Sequence, residues 1–182
     1  MKTYPIVLYP GYEITILLYK DVLNTKDIMT ELLKGQLEWA IINCKPIINH
    51  QQLLLAATKA VATLATGKLT TNNIHTELIF RLSPNTNIRE SLKNFGLQNE
   101  DKEFYIVLFN GKQEKFDQIK SMVQGEQIDQ SSHSLDTLNP FFDKELSRKL
   151  YGINDKELKA TNEDIDLLKN SIFNTMAIKG LL

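Results

Sequence analysis

The 182-residue sequence predicts a mixed α/β (α+β) fold, a single domain spanning residues 1–182. A mixed sheet of about four strands is covered by helices, and the C-terminal third is mostly helix. Three observations carry this. Strand-like and helix-like segments alternate through the first two thirds of the chain. Phe104 to Phe109 is an unbroken apolar run closed by Asn110-Gly111, the pattern of a strand buried on both faces. Beyond residue 112 the apolar residues recur at helical spacing, as in Phe116, Ile119, Met122 and Val123 before Gly125.

Taken in order, Tyr12 to Tyr19 is rich in Ile, Leu and Thr and reads as a strand. Asn24 or Thr25 then caps a helix that runs through Ile28, Met29, Leu32 and Leu33 to a Gly35 stop. Trp39 to Asn43 reads as a second short strand. Asn49 begins a long helix carrying Leu53, Leu54, Ala57, Val61 and Leu64, with Ala56, Ala60 and Ala62 small enough for close packing. Ile74 to Leu82 alternates apolar and polar residues with a period of two, the signature of a third strand. Ser83-Pro84 breaks it. Asn87 with Glu90 forms a capping box in its Asn form, Ile88, Leu92 and Phe95 follow at helical spacing, and Gly96 supplies a left-handed stop. Later apolar groups at Phe141, Phe142, Leu146, Leu150 and Tyr151, and from Ile165 to Ile178, read as helices. Gln124 to Asn139 and Asn154 to Glu163 read as polar loops.

With 21 basic and 22 acidic side chains the formal net charge is −1, so no global field draws in nucleic acid and any RNA contact rests on a local patch. The single cysteine, Cys44, lies in an apolar stretch and reads as a buried structural thiol of a reducing compartment. The N-terminal apolar run is interrupted by Pro5, Pro10, Gly11 and Glu13, which suits neither a signal peptide nor a membrane span.

Signals for catalysis are sparse. ATGKLTT has the look of the end of a phosphate-binding loop, but Ala62 stands where its first glycine belongs and Leu69 where a hydroxyl is needed. His50, His75 and His133 are scattered, without metal-ligand spacing, so no metal and no cofactor is expected. On a strand, His75 and Glu77 would share one face as an acid/base pair, yet no nucleophile accompanies them. Cys44 has only Lys45 beside it, far from the electropositive setting that a reactive thiolate requires.

The last helix carries more apolar residues than one stripe accommodates. Ile165, Leu168, Ile172 and Met176 line one side, Phe173 and Ala177 extend it, and Leu167 and Ile178 fall opposite. Either both sides are buried within the fold or the outer side meets a partner.

Several stretches resemble one family. QLLLAATKAVATLATGKLTT, HTELIF and LSPNTNIRESLKNFGL are similar to the central signature of the kinase-binding subunit of the KEOPS (EKC) complex, the PRPK-binding protein of animals. The matching positions are Gly67-Lys68, Thr76-Glu77, Leu82-Ser83-Pro84, Asn87-Ile88 and Phe95-Gly96-Leu97. YEITILLYKDVLNTKDI and FFDKELSRKLYGI extend the likeness over nearly the whole chain, with a fungal flavour. One departure stands out. Leu69-Thr70-Thr71-Asn72-Asn73 lacks two positive charges that the family usually carries after the Gly-Lys turn.

The resemblance implies a non-catalytic accessory subunit that binds a PRPK-type atypical kinase directly. Through it the subunit meets the threonylcarbamoyl transferase and, indirectly, the dimerising subunit. It further implies support of tRNA recruitment for threonylcarbamoyl-adenosine modification next to the anticodon, with the CCA end as the RNA contact of archaeal relatives. A setting in nucleus and cytoplasm, and a link to telomere maintenance and transcription in fungi, come with it. By that analogy Leu167, Phe173, Ile178, Leu181 and Leu182 are the candidate kinase contacts. Lys59, Lys68, Arg81, Arg89 and Lys93 are the candidate RNA contacts. The alternatives are a free-standing RNA-binding or scaffold module and a small transferase or hydrolase using His75 and Glu77.

Overall fold

The computed structural model describes residues 1–153 and 164–179. In chain order these form β1 (Lys2–Pro5), β2 (Glu13–Lys20), α1 (Thr25–Leu33), β3 (Ala40–Asn43), α2 (His50–Ala65), α3 (Ile74–Leu82) and α4 (Ile88–Phe95). They continue with β4 (Phe104–Phe109), α5 (Gln113–Met122), β5 (Glu126–Gln127), α6 (Lys144–Tyr151) and, last among the described elements, α7 (Ile165–Ile178).

The strands run β1-β2-β4-β3, with the short β5 pairing the far end of β2 on the same side as β1. Every pairing is antiparallel, so the sheet is not the mixed one expected from the strand-helix alternation. The two central strands, β2 and β4, are almost wholly buried, and their side chains alternate between two cores. Ile14, Ile16 and Leu18 with Tyr105, Val107 and Phe109 meet Leu53, Leu78 and Ile172 on one face. Leu17, Tyr19, Phe104, Ile106 and Leu108 meet Ile28 of α1 and Ile119 of α5 on the other.

Residues 74–82 are helix α3, not a strand. Two features override the period of two. The Asn73 side chain accepts from the backbone N–H groups of His75 and Thr76 while Thr76 Oγ1 reaches back to the Asn73 N–H, a complete capping box at the head of the segment. Helix α3 is also enclosed on most sides: Glu77, Leu78, Ile79, Phe80 and Leu82 are all buried, so its apolar residues follow neither period cleanly. Gly96 likewise departs from the expected left-handed stop, with φ −82°. Its need for glycine is steric, since a Cβ there would stand 2.5 Å from the Leu92 carbonyl oxygen. Asn87 accepts from the Glu90 N–H as expected, but the Glu90 carboxylate turns to Asn85, which leaves half a capping box. Phe141 and Phe142 precede α6, which Asp143 caps. Residues 126–127 of the expected polar loop form β5. The other expected loop, 154–163, lies outside the described residues.

Polar groups tie the helical layer together. Buried Gln52 accepts from the Ile48 N–H and donates to Tyr151 Oη at 2.9 Å, and Tyr151 donates in turn to the Leu82 carbonyl. Thus α2, α6 and α3 share one line of hydrogen bonds. Cys44 is buried as expected; its Sγ donates to the Glu103 carbonyl, and burial pushes the thiol up to about 12.

His50 sits at the start of α2 between the Tyr4 hydroxyl at Nδ1 and the Gln130 amide at Nε2. Burial holds its imidazole down at about 4, with the neighbouring His133 adding to the effect. His75 is held at about 4 as well, again chiefly by burial. A folded pKa below the ordinary value near 6.5 means that the unfolded chain takes up protons first on acidification. Stability is therefore full above about pH 6.5 and falls as pH drops toward about 4. Urea midpoints measured across that window should decline, and His50→Asn should flatten the slope without abolishing it, because His75 remains.

Candidate functional site

Two surfaces concern the candidate residues, and both are built around α7. Leu168, Ile172 and Met176 bury one side of this helix, as their spacing of four predicts. Ile165 does not join them: at 39% exposed it lies at the open first turn, a correction to its placement in the core stripe. Leu167 at 40% and Ile178 at 49% exposure point away from the core. At about 100° per residue they stand on one flank of the outer arc, and Phe173 stands on the other.

Phe173 is half-buried and borders a groove with Leu54 and Leu55 of α2 and with Val7 and Leu8. Those last two residues occupy the turn between β1 and β2 and are 83% and 75% exposed. The turn is held rigidly by backbone bonds from the Ile6 N–H to the Tyr12 carbonyl and from the Tyr9 N–H to the Ile6 carbonyl. An apolar hairpin tip held against solvent beside an apolar helix flank is the make-up of a contact surface. Sequence reasoning missed Val7 and Leu8. The available signal was an apolar pair inside a Pro-bounded turn, where turn residues are normally polar. Leu181 and Leu182 lie outside the described residues.

The cationic residues divide into two sets. Lys59 directs its Nζ at the C-terminal end of α7, donating to the Met176, Ala177 (3.1 Å) and Lys179 (3.3 Å) carbonyls. These are orphan carbonyls of a helix end, and a lysine satisfies them while facing the negative pole of the helix dipole. Lys179 points back, donating to the Phe80 carbonyl and lying over the Phe80 ring at 3.4 Å from its centroid. Lys59 of α2 thus grips the end of α7, and Lys179 at that end grips α3. Burial, then the charges of Arg81 and Lys59, pull Lys179 down to about 7, with Glu77 opposing. Lys59 is lowered by burial and by Arg81.

Arg81 pairs with Glu77 at 2.7 Å and also donates to Thr63 and Thr70. The Glu77 carboxylate is fully buried and accepts three further bonds, from the Thr70 and Thr71 N–H groups and the Thr71 hydroxyl. With 74–82 helical, His75 and Glu77 do not share a face. Glu77 belongs to this cluster, whereas His75 packs on Phe109 at the far side of α3. The pairing that a strand would have produced is absent. Lys68, Arg89 and Lys93 form the second set; all three are exposed. Lys68 follows Gly67, whose φ of +69° ends α2 in the left-handed region that glycine tolerates.

An antiparallel sheet under helices, with apolar side chains exposed among the described residues on α7 and on the β1–β2 hairpin, is the make-up of a protein that binds another. The sequence profile of the family described as "Kinase binding protein CGI-121" matches residues 19–180. The chain is 35% identical over 183 positions, 98% of each sequence, to the EKC/KEOPS complex subunit TPRKB of Danio rerio. It is 27% identical to the EKC/KEOPS complex subunit CGI121 of Candida glabrata over 95% of this chain and 96% of that one. To the Yarrowia lipolytica subunit of the same name it is 36% identical over 54% of this chain and 60% of that one. The chain belongs to the kinase binding protein CGI-121 family. Vertebrate and fungal relatives both align along nearly its full length, so these likenesses do not single out a fungal origin.

The geometry separates structural cations from surface ones. Replacing Arg81 by Met strands the buried Glu77 carboxylate and should lower stability by about 3 kcal/mol. Lys59→Met should lower it by about 1–2 kcal/mol and speed hydrogen exchange across α7, because the helix end loses its donor. Lys68→Met, an exposed residue, should leave the thermal midpoint unchanged. Calorimetric unfolding of the three variants checks the order.

Proposed function

We propose that this chain is a non-catalytic accessory subunit of an EKC/KEOPS complex. It docks the small lobe of a PRPK-type atypical kinase through the outer arc of α7, and through that kinase it joins the transferase and dimerising subunit that modify tRNA next to the anticodon. The observation that carries the reading is the family membership over residues 19–180, joined to an exposed apolar arc on α7 within that span. Leu167, Phe173 and Ile178, with Leu181 and Leu182 beyond them, are the proposed kinase contacts, and Val7 and Leu8 extend the surface. The proposed cellular setting is nucleus and cytoplasm.

Charge on the outer arc separates binding from folding. Ile178→Glu places a carboxylate at an exposed position and should leave the free protein's thermal midpoint unchanged while weakening kinase association by about 2 kcal/mol or more. Met176→Glu buries the charge in the core and should damage both stability and binding. Titration of each variant with the purified kinase decides the matter: wild-type affinity for Ile178→Glu removes this face from the interface.

We propose an RNA role as well, which the likeness to the KEOPS subunits supports. We assign the tRNA contact, with its CCA end as the favoured element, to a patch in which Lys68, Arg89 and Lys93 are the free members. Lys59 and Arg81 are instead engaged with carbonyls and a carboxylate. Two further basic positions are absent after Lys68, so isolated subunit should bind tRNA weakly and with steep salt dependence, tightening when other basic surfaces of the complex act alongside. Filter binding between 50 and about 200 mM salt, with Lys68→Glu as the variant, is the check. Strong binding at physiological salt that ignores Lys68→Glu would put the RNA surface elsewhere.

A further inference from the structure

Strand β4 ends on Asn110-Gly111, the one Asn-Gly pair in the sequence. Asn110 is exposed, stands outside any helix or strand and takes the left-handed conformation, with φ +47°. Its side chain is nevertheless engaged at both ends. Oδ1 accepts from the Glu13 N–H at 2.9 Å and Nδ2 donates to the Gly11 carbonyl at 3.1 Å, while the Asn110 N–H reaches the Glu13 carbonyl at 3.0 Å. These bonds lie just beyond the last β2–β4 pair, Ile14 with Phe109. One amide thus fastens the end of β4 to the β1–β2 hairpin, whose tip holds the exposed Val7 and Leu8.

Asparagine is thermolabile, and a following glycine favours its self-attack. Gly111 has no Cβ to bar its amide nitrogen from the preceding side chain, and it has the backbone freedom to bring that nitrogen there. When the nitrogen attacks Asn110 Cγ, the new N–Cγ bond closes a cyclic imide. The Cγ–Nδ2 bond breaks, and Nδ2 leaves as ammonia with the proton that the Gly111 nitrogen gave up. Water then opens either imide carbonyl, leaving aspartate or isoaspartate at position 110.

Both products undo the clamp. In aspartate an oxygen stands where Nδ2 donated, so the Gly11 carbonyl faces an acceptor in place of a donor. In isoaspartate the main chain runs through Cγ and gains a methylene, beside a glycine so close to its neighbours that an added Cβ would stand 2.8 Å from Phe116 Cζ. The fold opposes the reaction in turn, because both amide atoms are tied to the neighbouring strand.

We propose that Asn110 is a site of spontaneous deamidation, that its bonds to Gly11 and Glu13 hold the reaction back, and that conversion loosens the β1–β2 hairpin. Any effect on docking rests on the proposed function, whereas the modification is a property of the hairpin alone.

Peptide mapping by mass spectrometry of protein aged in mildly alkaline buffer should find conversion at Asn110 ahead of every other asparagine. Urea-unfolded protein should convert about tenfold faster than folded protein or more, the factor that two modest hydrogen bonds supply. Gly111→Ala should slow conversion severalfold in the unfolded chain, where its fit against Phe116 does not matter. Asn110→Asp should speed hydrogen exchange at the Ile6, Tyr9 and Tyr12 amides about tenfold. Asn110→Gly, which keeps the left-handed backbone and removes both side-chain bonds, should do the same and supplies the test should Asn110→Asp fail to fold. Three results overturn the proposal: another asparagine converting first, equal rates in folded and unfolded protein, or wild-type exchange of the hairpin amides in the folded variants.

Discussion

The fully buried carboxylate of Glu77 is the constraint around which the functional half of this molecule is arranged. A carboxylate without solvent survives only if its oxygens are saturated and its charge is opposed. Here the two requirements are met by different parts of the chain. Thr70 and Thr71 wrap backbone and hydroxyl donors around one oxygen, which fixes the connection between α2 and α3. Arg81, one turn along α3, supplies the charge to the other. Burial depresses Lys59 and Lys179, and the guanidinium beside them adds to the effect. Lysines that have lost water need acceptors in its place, and the carbonyls at hand are those of Phe80 and the end of α7. The seating of α7 is in this way coupled to one buried acid on α3.

Much of the sheet was legible because its strands are buried on both sides. Phe104 to Phe109 and Tyr12 to Tyr19 have no competing polar pattern, and their boundaries agree with β4 and β2 to within a residue or so. The helices opened by Asn49 and Asn87 were legible from their caps, which hold the expected N–H groups. The failure at residues 74–82 has a definite origin. Alternation was weighed over Asn73-Ile74-His75-Thr76, whose capping box is as local a signal and the stronger one. Because α3 is buried nearly all round, its composition lacks the polar face that normally betrays a helix. The short edge strand β1 was not legible at all: four residues of alternating half-burial carry too little pattern to stand out.

Of the candidate residues, those on the outer arc of α7 could be sorted from sequence because 3.6-residue geometry decides which side each occupies. Leu167 and Ile178 are exposed and Leu168, Ile172 and Met176 are buried, as the wheel requires. The cations could not be sorted in this way. Whether a lysine reaches solvent or a carbonyl depends on what lies above it in the fold, and Lys59 is covered by a helix more than a hundred residues later. Likewise Asn110-Gly111 announces a turn, but not that its amide reaches across to Gly11 and Glu13.

This sorting bears on how the protein meets a polyanion. The sequence holds 21 basic against 22 acidic side chains, but composition counts Lys59, Arg81 and Lys179 as though they faced water. All three point inward, and one of them is matched by Glu77, which is also buried. Removing these four groups and the buried Asp101 from the surface count leaves 18 basic and 20 acidic side chains, so the surface is somewhat more negative than the formal charge of −1 suggests. Phosphate attraction scales with the cations that counterions can leave, not with those held by carbonyls. A surface with this balance offers a polyanion only a few free lysines and arginines. The apolar arc of α7 owes nothing to that balance, and its exposed side chains are surface of the kind that burial against another protein stabilises.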